Sequence, residues 1–269
     1  MRKIQGLRRP YRFKRKKSFF KSRFFGISIL LLVIIGGLVY LFVFSSVFQV
    51  EQVKVFGSFP PPYSKISEQD IQSLISNEVG NRFLSFSSRT IFLVDLDRID
   101  KLILEEFPQI KQVKLQRDLP HILTAEIEWR KAVAVFCYNQ QYFLMDGEGV
   151  VFEESIEPEP LQLFIRDLNL TGELKLGEEV ISPELLSRLL QIKSELNESL
   201  KISIQEISVV SGKRLNVRTS EGWDIYFNPS NNLDWQFTEL DLLLKKEISP
   251  ERRETLEYID LRFERAYYK

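Results

Sequence analysis

From Phe24 to Phe48 the chain reads FFGISILLLVIIGGLVYLFVFSSVF, and between Arg23 and Glu51 only Tyr40 carries an ionisable side chain. As a helix rising about 1.5 Å per residue, this stretch reaches roughly 37 Å, enough to cross a hydrocarbon core of about 30 Å with some tilt. Lipid offers the backbone no partners, so a lone span must satisfy its amides as a helix. The pattern therefore predicts a transmembrane helix over residues 24–48, with Gly36-Gly37 as a candidate helix contact. The run is longer than the apolar region of about 7–15 residues in a cleaved signal peptide. A buried core helix of this length would show a polar side.

Beyond the span the period changes. Val53 and Val55 alternate with polar neighbours up to Gly57, which predicts a strand. Pro60-Pro61-Pro62 marks a loop. Ser67-Glu68-Gln69-Asp70 has the capping-box form, and Ile71, Leu74, Ile75 and Val79 follow at helical spacing up to Gly80. Asp95 or Asp97 can cap a second helix, whose apolar face is Ile99, Leu102, Ile103 and Phe107 before Pro108. Val113 and Leu115 alternate next, and Asp118-Leu119-Pro120-His121 signals a turn. Leu123, Ala125, Ile127 and Trp129 then alternate in turn. The reading is β-α-α-β-β over residues 49–129, a small sheet with two helices on one face.

Residues 130–263 read mainly as antiparallel β with two helices. Strands are expected at Val133–Cys137, Tyr142–Met145, Val150–Phe152 and Leu161–Ile165. The turn Asp146-Gly147-Glu148-Gly149 contains G-x-G, but it sits between strands and leads into no helix, so it reads as a turn and not a phosphate loop. Glu153 to Pro160 reads as an exposed acidic loop. Ser182-Pro183-Glu184 starts a helix with an apolar stripe from Leu185 to Leu200. Strands around 204–210, 215–219 and 223–227 form a meander. Asn231 or Asn232 caps a last helix carrying Leu233, Phe237, Leu240 and Leu244. Glu257 to Phe263 closes the fold, and residues 264–269 form a short tail. The fold class is α+β.

Charge adds direction. Residues 1–23 hold eleven Lys or Arg and no acid, which leaves 26 basic against 37 acidic residues in the rest of the chain. Basic residues flanking a span stay cytoplasmic and meet anionic lipid, so the expected topology is N-terminus inside, with a large portion on the outer face. Beside a membrane the basic tail serves topology and lipid contact, and no nucleic acid partner is expected. The single cysteine, Cys137, excludes an internal disulfide and reads as a small core residue. The single histidine, His121, lies in a turn. One His and one Cys cannot build a metal site, and no motif supplies a nucleophile with its base or a pair of glycosidase carboxylates. No catalytic residue, metal, cofactor or small-molecule substrate is expected. A small sheet with open edges instead invites partner strands, and Tyr267 and Tyr268 are candidate anchors at such an edge.

Several runs in this order resemble the FtsQ/DivIB family of bacterial cell-division proteins, whose members carry a POTRA domain directly after one span. Val53-Lys54-Val55-Phe56-Gly57 resembles the family's opening strand, and Leu93-Val94-Asp95 its entry to the second helix. Pro108 to Pro120 resembles its recurrent Pro, apolar alternation, then Arg-x-x-Pro. Glu128-Trp129-Arg130-Lys131-Ala132 is similar to the hairpin exit Glu-Arg-x-Pro-x-Ala, keeping the Glu and Ala and lacking the proline. Leu144-Met145-Asp146-x-x-Gly149 and Ile259-Asp260-Leu261-Arg262-Phe263 resemble two further family features.

The resemblance implies a non-catalytic divisome scaffold in the cytoplasmic membrane at the division septum, acting during septal peptidoglycan synthesis. It implies FtsB-like and FtsL-like bitopic partners and septal peptidoglycan synthase components. Docking would fall on Ile259, Leu261, Phe263 and the helix 231–245, including Leu233 and Phe237. Two other classes compete with this one. A POTRA-type chaperone or receptor in envelope protein export would normally need a barrel, for which too little chain follows Trp129. An anchored cell-wall hydrolase would need a site that the residues do not supply.

Overall fold

The computed structural model describes residues 23–57, 66–83, 86–156 and 163–269. The basic tail before Arg23, the triple proline and the end of the acidic loop at 157–160 lie outside the described residues.

The apolar run forms a helix, α1 (Arg23–Phe44), with almost every side chain exposed. It ends four residues before the apolar pattern does. Ser45 adopts an extended backbone and its hydroxyl accepts a hydrogen bond from Val47 N, which starts a 3-10 turn over Ser46–Phe48. The hydroxyl stops the helix although hydrophobicity continues.

A three-stranded sheet follows, built from β1 (Gln52–Gly57), β4 (Ile110–Asp118) and β5 (Ile122–Trp129) in the order β1-β5-β4. β1 runs parallel to β5, and β4 runs antiparallel to it. Two helices cover one face, α2 (Glu68–Glu78) and α3 (Leu96–Glu106). Ile71 and Ile75 from α2 meet Ile99 and Ile103 from α3 over Leu123, Ala125 and Ile127 of β5. The start signals act where the sequence puts them. Asp70 N donates to Ser67 Oγ and Ser67 N to Asp70 Oδ2, closing the capping box. Ser67 N, and after it Ser67 Oγ, donate to Asp70 Oδ2 and hold its carboxyl below the usual carboxylate range. Asp95, not Asp97, caps α3 through Arg98 N. A hairpin of two three-residue strands, β2 (Asn81–Phe83) and β3 (Phe86–Ser88), was not anticipated. Strands that short show no period to read.

The second sheet has nine strands: β6 (Ala134–Tyr138), β7 (Gln141–Met145), β8 (Val151–Ser155), β9 (Leu163–Asp167), β10 (Ile204–Ser211), β11 (Arg214–Thr219), β12 (Asp224–Phe227), β13 (Tyr258–Asp260) and β14 (Tyr267–Tyr268). Their order is β14-β13-β12-β11-β10-β9-β6-β7-β8. It is a mixed sheet, because β6 with β9, β9 with β10 and β12 with β13 pair in parallel. Parallel neighbours need long connections, and two of these carry the main helices: α4 (Pro183–Ser194) between β9 and β10, and α5 (Leu233–Lys246) between β12 and β13. α4 runs on into a π turn over Glu195–Ser199, and a one-turn helix α6 (Pro250–Arg253) follows α5. Ser182 and Asn232 cap α4 and α5. One core joins these helices to the sheet, with Trp223, Phe136 and Phe227 as its largest wholly buried side chains. Residues 267–268, expected in a tail, are a paired strand.

Charge joins the two sheets. Arg130, at the exit of β5, sets Nη1 2.5 Å from Asp146 Oδ2 and donates from Nε to Pro108 O. Its backbone N donates to Gln109 O. The other Asp146 oxygen accepts from Glu148 N and Val150 N, so one buried carboxylate serves a guanidinium and two amides. Lys111 of β4 reaches Glu148 Oε1 at 2.9 Å, which raises the lysine's affinity for its proton. The expected turn over Asp146–Gly149 is present, closed by Gly149 N to Asp146 O. Gly149 has φ of +78°, and a Cβ there would lie 1.8 Å from Ile181 O. The second glycine serves the backbone's close approach to the segment entering α4.

Candidate functional site

Alternation in β11, β12 and β13 sends Leu215, Val217, Ile225, Phe227 and Ile259 into the core under α5. The other face is left to Arg214, Asn216, Tyr226, Tyr258 and Asp260, matched by the register Asn216↔Tyr226↔Asp260. Here the side chains interlock. The rings of Tyr226 and Tyr258 stack at 5.3 Å. The Arg214 guanidinium lies 4.5 Å from the Tyr226 ring centre, and that of Arg262 lies 5.7 Å from the same ring. Arg262 grips Asp260 with two parallel bonds, Nε to Oδ1 at 2.8 Å and Nη2 to Oδ2 at 2.6 Å. That carboxylate raises the guanidinium's hold on its proton further. Phe263 continues the row under Arg262 and meets Tyr267 edge to face at 6.0 Å.

The outer border of this face is β14. Ile259 pairs with Tyr268 and Asp260 with Tyr267, and Glu257 N and Tyr258 N both donate to Lys269 O. Tyr268 OH donates to Glu247 Oε2 at the end of α5. The opposite border, β8, carries Glu153 and Glu154 and leads into the acidic stretch. Charge on an edge discourages added strands, whereas aromatic and arginine side chains are the usual anchors of an interface. The two borders are thus chemically unequal, and the β13–β14 border suits a protein partner.

Of the side chains expected to dock a partner, Phe263 is 53% and Tyr267 58% exposed, and Tyr268 is half-buried. Ile259, Leu261, Leu233 and Phe237 are core residues and offer no surface. Period two had grouped Ile259, Leu261 and Phe263 on one face. The strand ends at Asp260, and the bend held by Arg262 N and Asp260 Oδ1 turns Phe263 outward while Leu261 stays inside. On α5 the exposed apolar side chains are Trp235 and Leu242. Tyr226, Tyr258, Arg214 and Arg262 were missed. Strand alternation places the first three opposite the core, but only the register brings them into contact.

Elsewhere the chemistry is sparse. Among the described residues no cluster of His, Cys, Asp and Glu could hold a metal ion. His121 is half-buried at the hairpin turn, where its carbonyl accepts from Glu51 N. A groove of about 460 Å³ beside α5 is lined by Glu195, Asp234, Asp241 and Lys245, and Lys245 is bound to Asp241 at 2.7 Å. Cys137 is buried beside Val135 and Leu144, and burial pushes its thiol up to about 11. At pH 8 that leaves on the order of a hundredfold less thiolate than free cysteine has. Iodoacetamide should therefore label the native chain very slowly at pH 8 and faster toward pH 11, followed by mass shift. Labelling at the rate of free cysteine at pH 8 would contradict the burial.

One apolar helix with the length and composition of a membrane anchor, followed by a three-stranded and a nine-stranded sheet and a small two-stranded hairpin, makes this a protein of mixed α+β class. Residues 134–262, which include β6 to β13, match the family model described as cell division protein FtsQ/DivIB, C-terminal. The chain is similar to cell division protein FtsQ of Rickettsia typhi, 30% identical over 111 residues, covering 41% of this chain and 38% of that protein. It is 29% identical to the protein of that name from Rickettsia prowazekii over 133 residues, 49% of this chain and 45% of the relative. For Rickettsia bellii the figure is 26% over 152 residues, 56% and 49%. The matches thus span less than half of each relative's length. The chain is thus similar to the FtsQ/DivIB family of cell-division proteins, and residues 134–262 carry the match to that family's C-terminal domain.

Proposed function

We propose that the protein is a non-catalytic scaffold of the division machinery, which holds other membrane-anchored division proteins together at the septum during peptidoglycan synthesis. In this reading α1 crosses the cytoplasmic membrane with the basic tail inside, and residues 49–129 form a POTRA-like domain despite the additional β2–β3 hairpin. FtsB-like and FtsL-like partners, each with its own span, dock on the β13–β14 border and through them septal synthase components are reached. The observation that carries it is the contrast between the two borders of the nine-stranded sheet: acidic at β8, aromatic and cationic at β14. The sheet is open, with β8 and β14 at its ends.

Depletion of the protein should leave cells filamentous with unfinished septa; normal division at full depletion would overturn the scaffold reading. The docking part has its own test. Replacing Phe263 and Tyr267 together by alanine removes two exposed anchors and is expected to weaken binding of an FtsB-like partner by roughly thirtyfold or more, read by co-purification, since even one interface anchor contributes about 2 kcal/mol or more. The unfolding curve should move by no more than about 0.5 kcal/mol, as for other exposed sites. Unchanged recovery of the partner would rule out this border. Leu261→Ala serves as the contrast, because that side chain is buried and its loss should lower stability first.

A further inference from the structure

The end of α1 and the first sheet form one piece. Thr90, itself buried, donates from Oγ1 to Phe42 O at 2.7 Å, within the last turn of α1. Ile91 N donates to Phe48 O, Val50 N to Arg89 O, and Gln49 pairs with Thr90 as an isolated bridge. The rings of Phe42, Phe48 and Phe92 lie 5.2–5.4 Å apart pairwise. Phe92 therefore stands level with the last turn of the span.

The hairpin between β4 and β5 arrives at the same level. β1 starts beside it, since Glu51 N donates to His121 O and Gln52 pairs with Ile122. Leu119 at its tip is 60% exposed, and Phe92 is 40% exposed. Arg117, at the end of β4, gives its guanidinium to Ile91 O at 2.8 Å and Val94 O at 2.7 Å, and Arg89 reaches Ser76 O. Among the described residues neither arginine has a salt bridge. The neighbouring acid, Asp118, accepts a bond from Thr124.

Exposed apolar tips beside arginines that bond only carbonyls and no acid, at the height where a membrane span ends, match the acyl boundary and the phosphates just above it. We propose that the loop 89–93 and the turn 118–121 sit in the membrane interface beside α1. Phe92 and Leu119 enter the acyl boundary, and Arg89 and Arg117 lie under lipid phosphates. The first sheet is thereby seated on the bilayer and not tethered above it. The occupant follows from continuity with α1, so the inference rests on α1 crossing the membrane.

The full chain with Cys137→Ala is reconstituted in vesicles of phosphatidylethanolamine and phosphatidylglycerol, carrying one spin label at Val33, Phe92, Leu119 or Lys213 introduced through cysteine. Power saturation then compares access to oxygen, which dissolves in lipid, with access to an aqueous nickel chelate. Labels at Phe92 and Leu119 should favour oxygen, as at Val33 in the middle of α1, while Lys213 on the exposed β10–β11 turn should favour the chelate. If Val33 favours oxygen but Leu119 is as open to the chelate as Lys213, the seating is wrong and the anchor stands. If Val33 favours the chelate, the anchor itself fails and the seating with it. Leu119 makes the decision alone should the Phe92 variant misfold. Vesicles of phosphatidylcholine only test the source of binding: retained oxygen access there assigns the contact to the acyl boundary, and its loss to anionic headgroups. Either result upholds the seat.

Discussion

Asp146→Ala is expected to destabilise the protein by about 3–5 kcal/mol, as removal of one partner from a buried ion pair does elsewhere. The carboxylate is 5% exposed and takes three donors: Arg130 Nη1, Glu148 N and Val150 N. Without it the guanidinium, 14% exposed, retains Pro108 O and a distant Glu148 carboxylate at 3.8 Å. Asp146→Asn keeps an oxygen for the two amides and should cost clearly less. The substitution should also uncouple the sheets. Trp129 belongs to the first core, and Trp223 to the second. In urea titrations of the detergent-solubilised chain, the wild type is expected to give one fluorescence transition. Asp146→Ala should split it into two, one per sheet, because the residues bridging them have lost their charge centre. A single unshifted transition would show that the junction carries little energy.

The second large effect is expected at Trp223. Its side chain is wholly buried, its indole N–H donates to Glu221 Oε2, and Arg253 stands 5.8 Å from its ring. Backbone bonds to Thr219 hold it: Thr219 Oγ1 donates to Trp223 O, and Trp223 N donates to Thr219 Oγ1. Trp223→Ala removes the largest side chain of the core, with an expected loss of about 3–5 kcal/mol. Trp223→Phe fills most of the space and should cost less, the remainder reflecting the lost indole bond. Denaturant midpoints at unchanged slope would measure both. Equal losses for Ala and Phe would mean that the hydrogen bond, and not the volume, holds the site.

Local chemistry was legible. Ser67, Asp95, Ser182 and Asn232 cap the helices because a cap needs only its own next three residues. The span was legible for a similar reason, except at its end, where one hydroxyl outweighed the apolar run. Pairing over distance was not. Nothing near Leu163 announces that β9 lies between β6 and β10, parallel to both. The border proposed for docking suffered most. Its aromatic row is assembled from Arg214, Tyr226, Tyr258 and Arg262, which meet only through register, and its outermost strand has two residues. The alternation of Ile259, Leu261 and Phe263 was real in the sequence, and a bend at Arg262 broke it.

The parallel pairing of β1 with β5 has a metric consequence. Both strands leave the level of the span's end together, at Gln52 and Ile122, and β5 delivers the chain to Arg130 at its far end. With α1 crossing the membrane as proposed, eight residues of extended strand put that junction up to about 26 Å farther from the bilayer at roughly 3.3 Å per residue. In that reading the first sheet acts as a ruler: it sets the elevation at which the second begins. A neighbouring protein that rises from its own span as a straight helix needs about 17 residues, at 1.5 Å each, to arrive at the same storey.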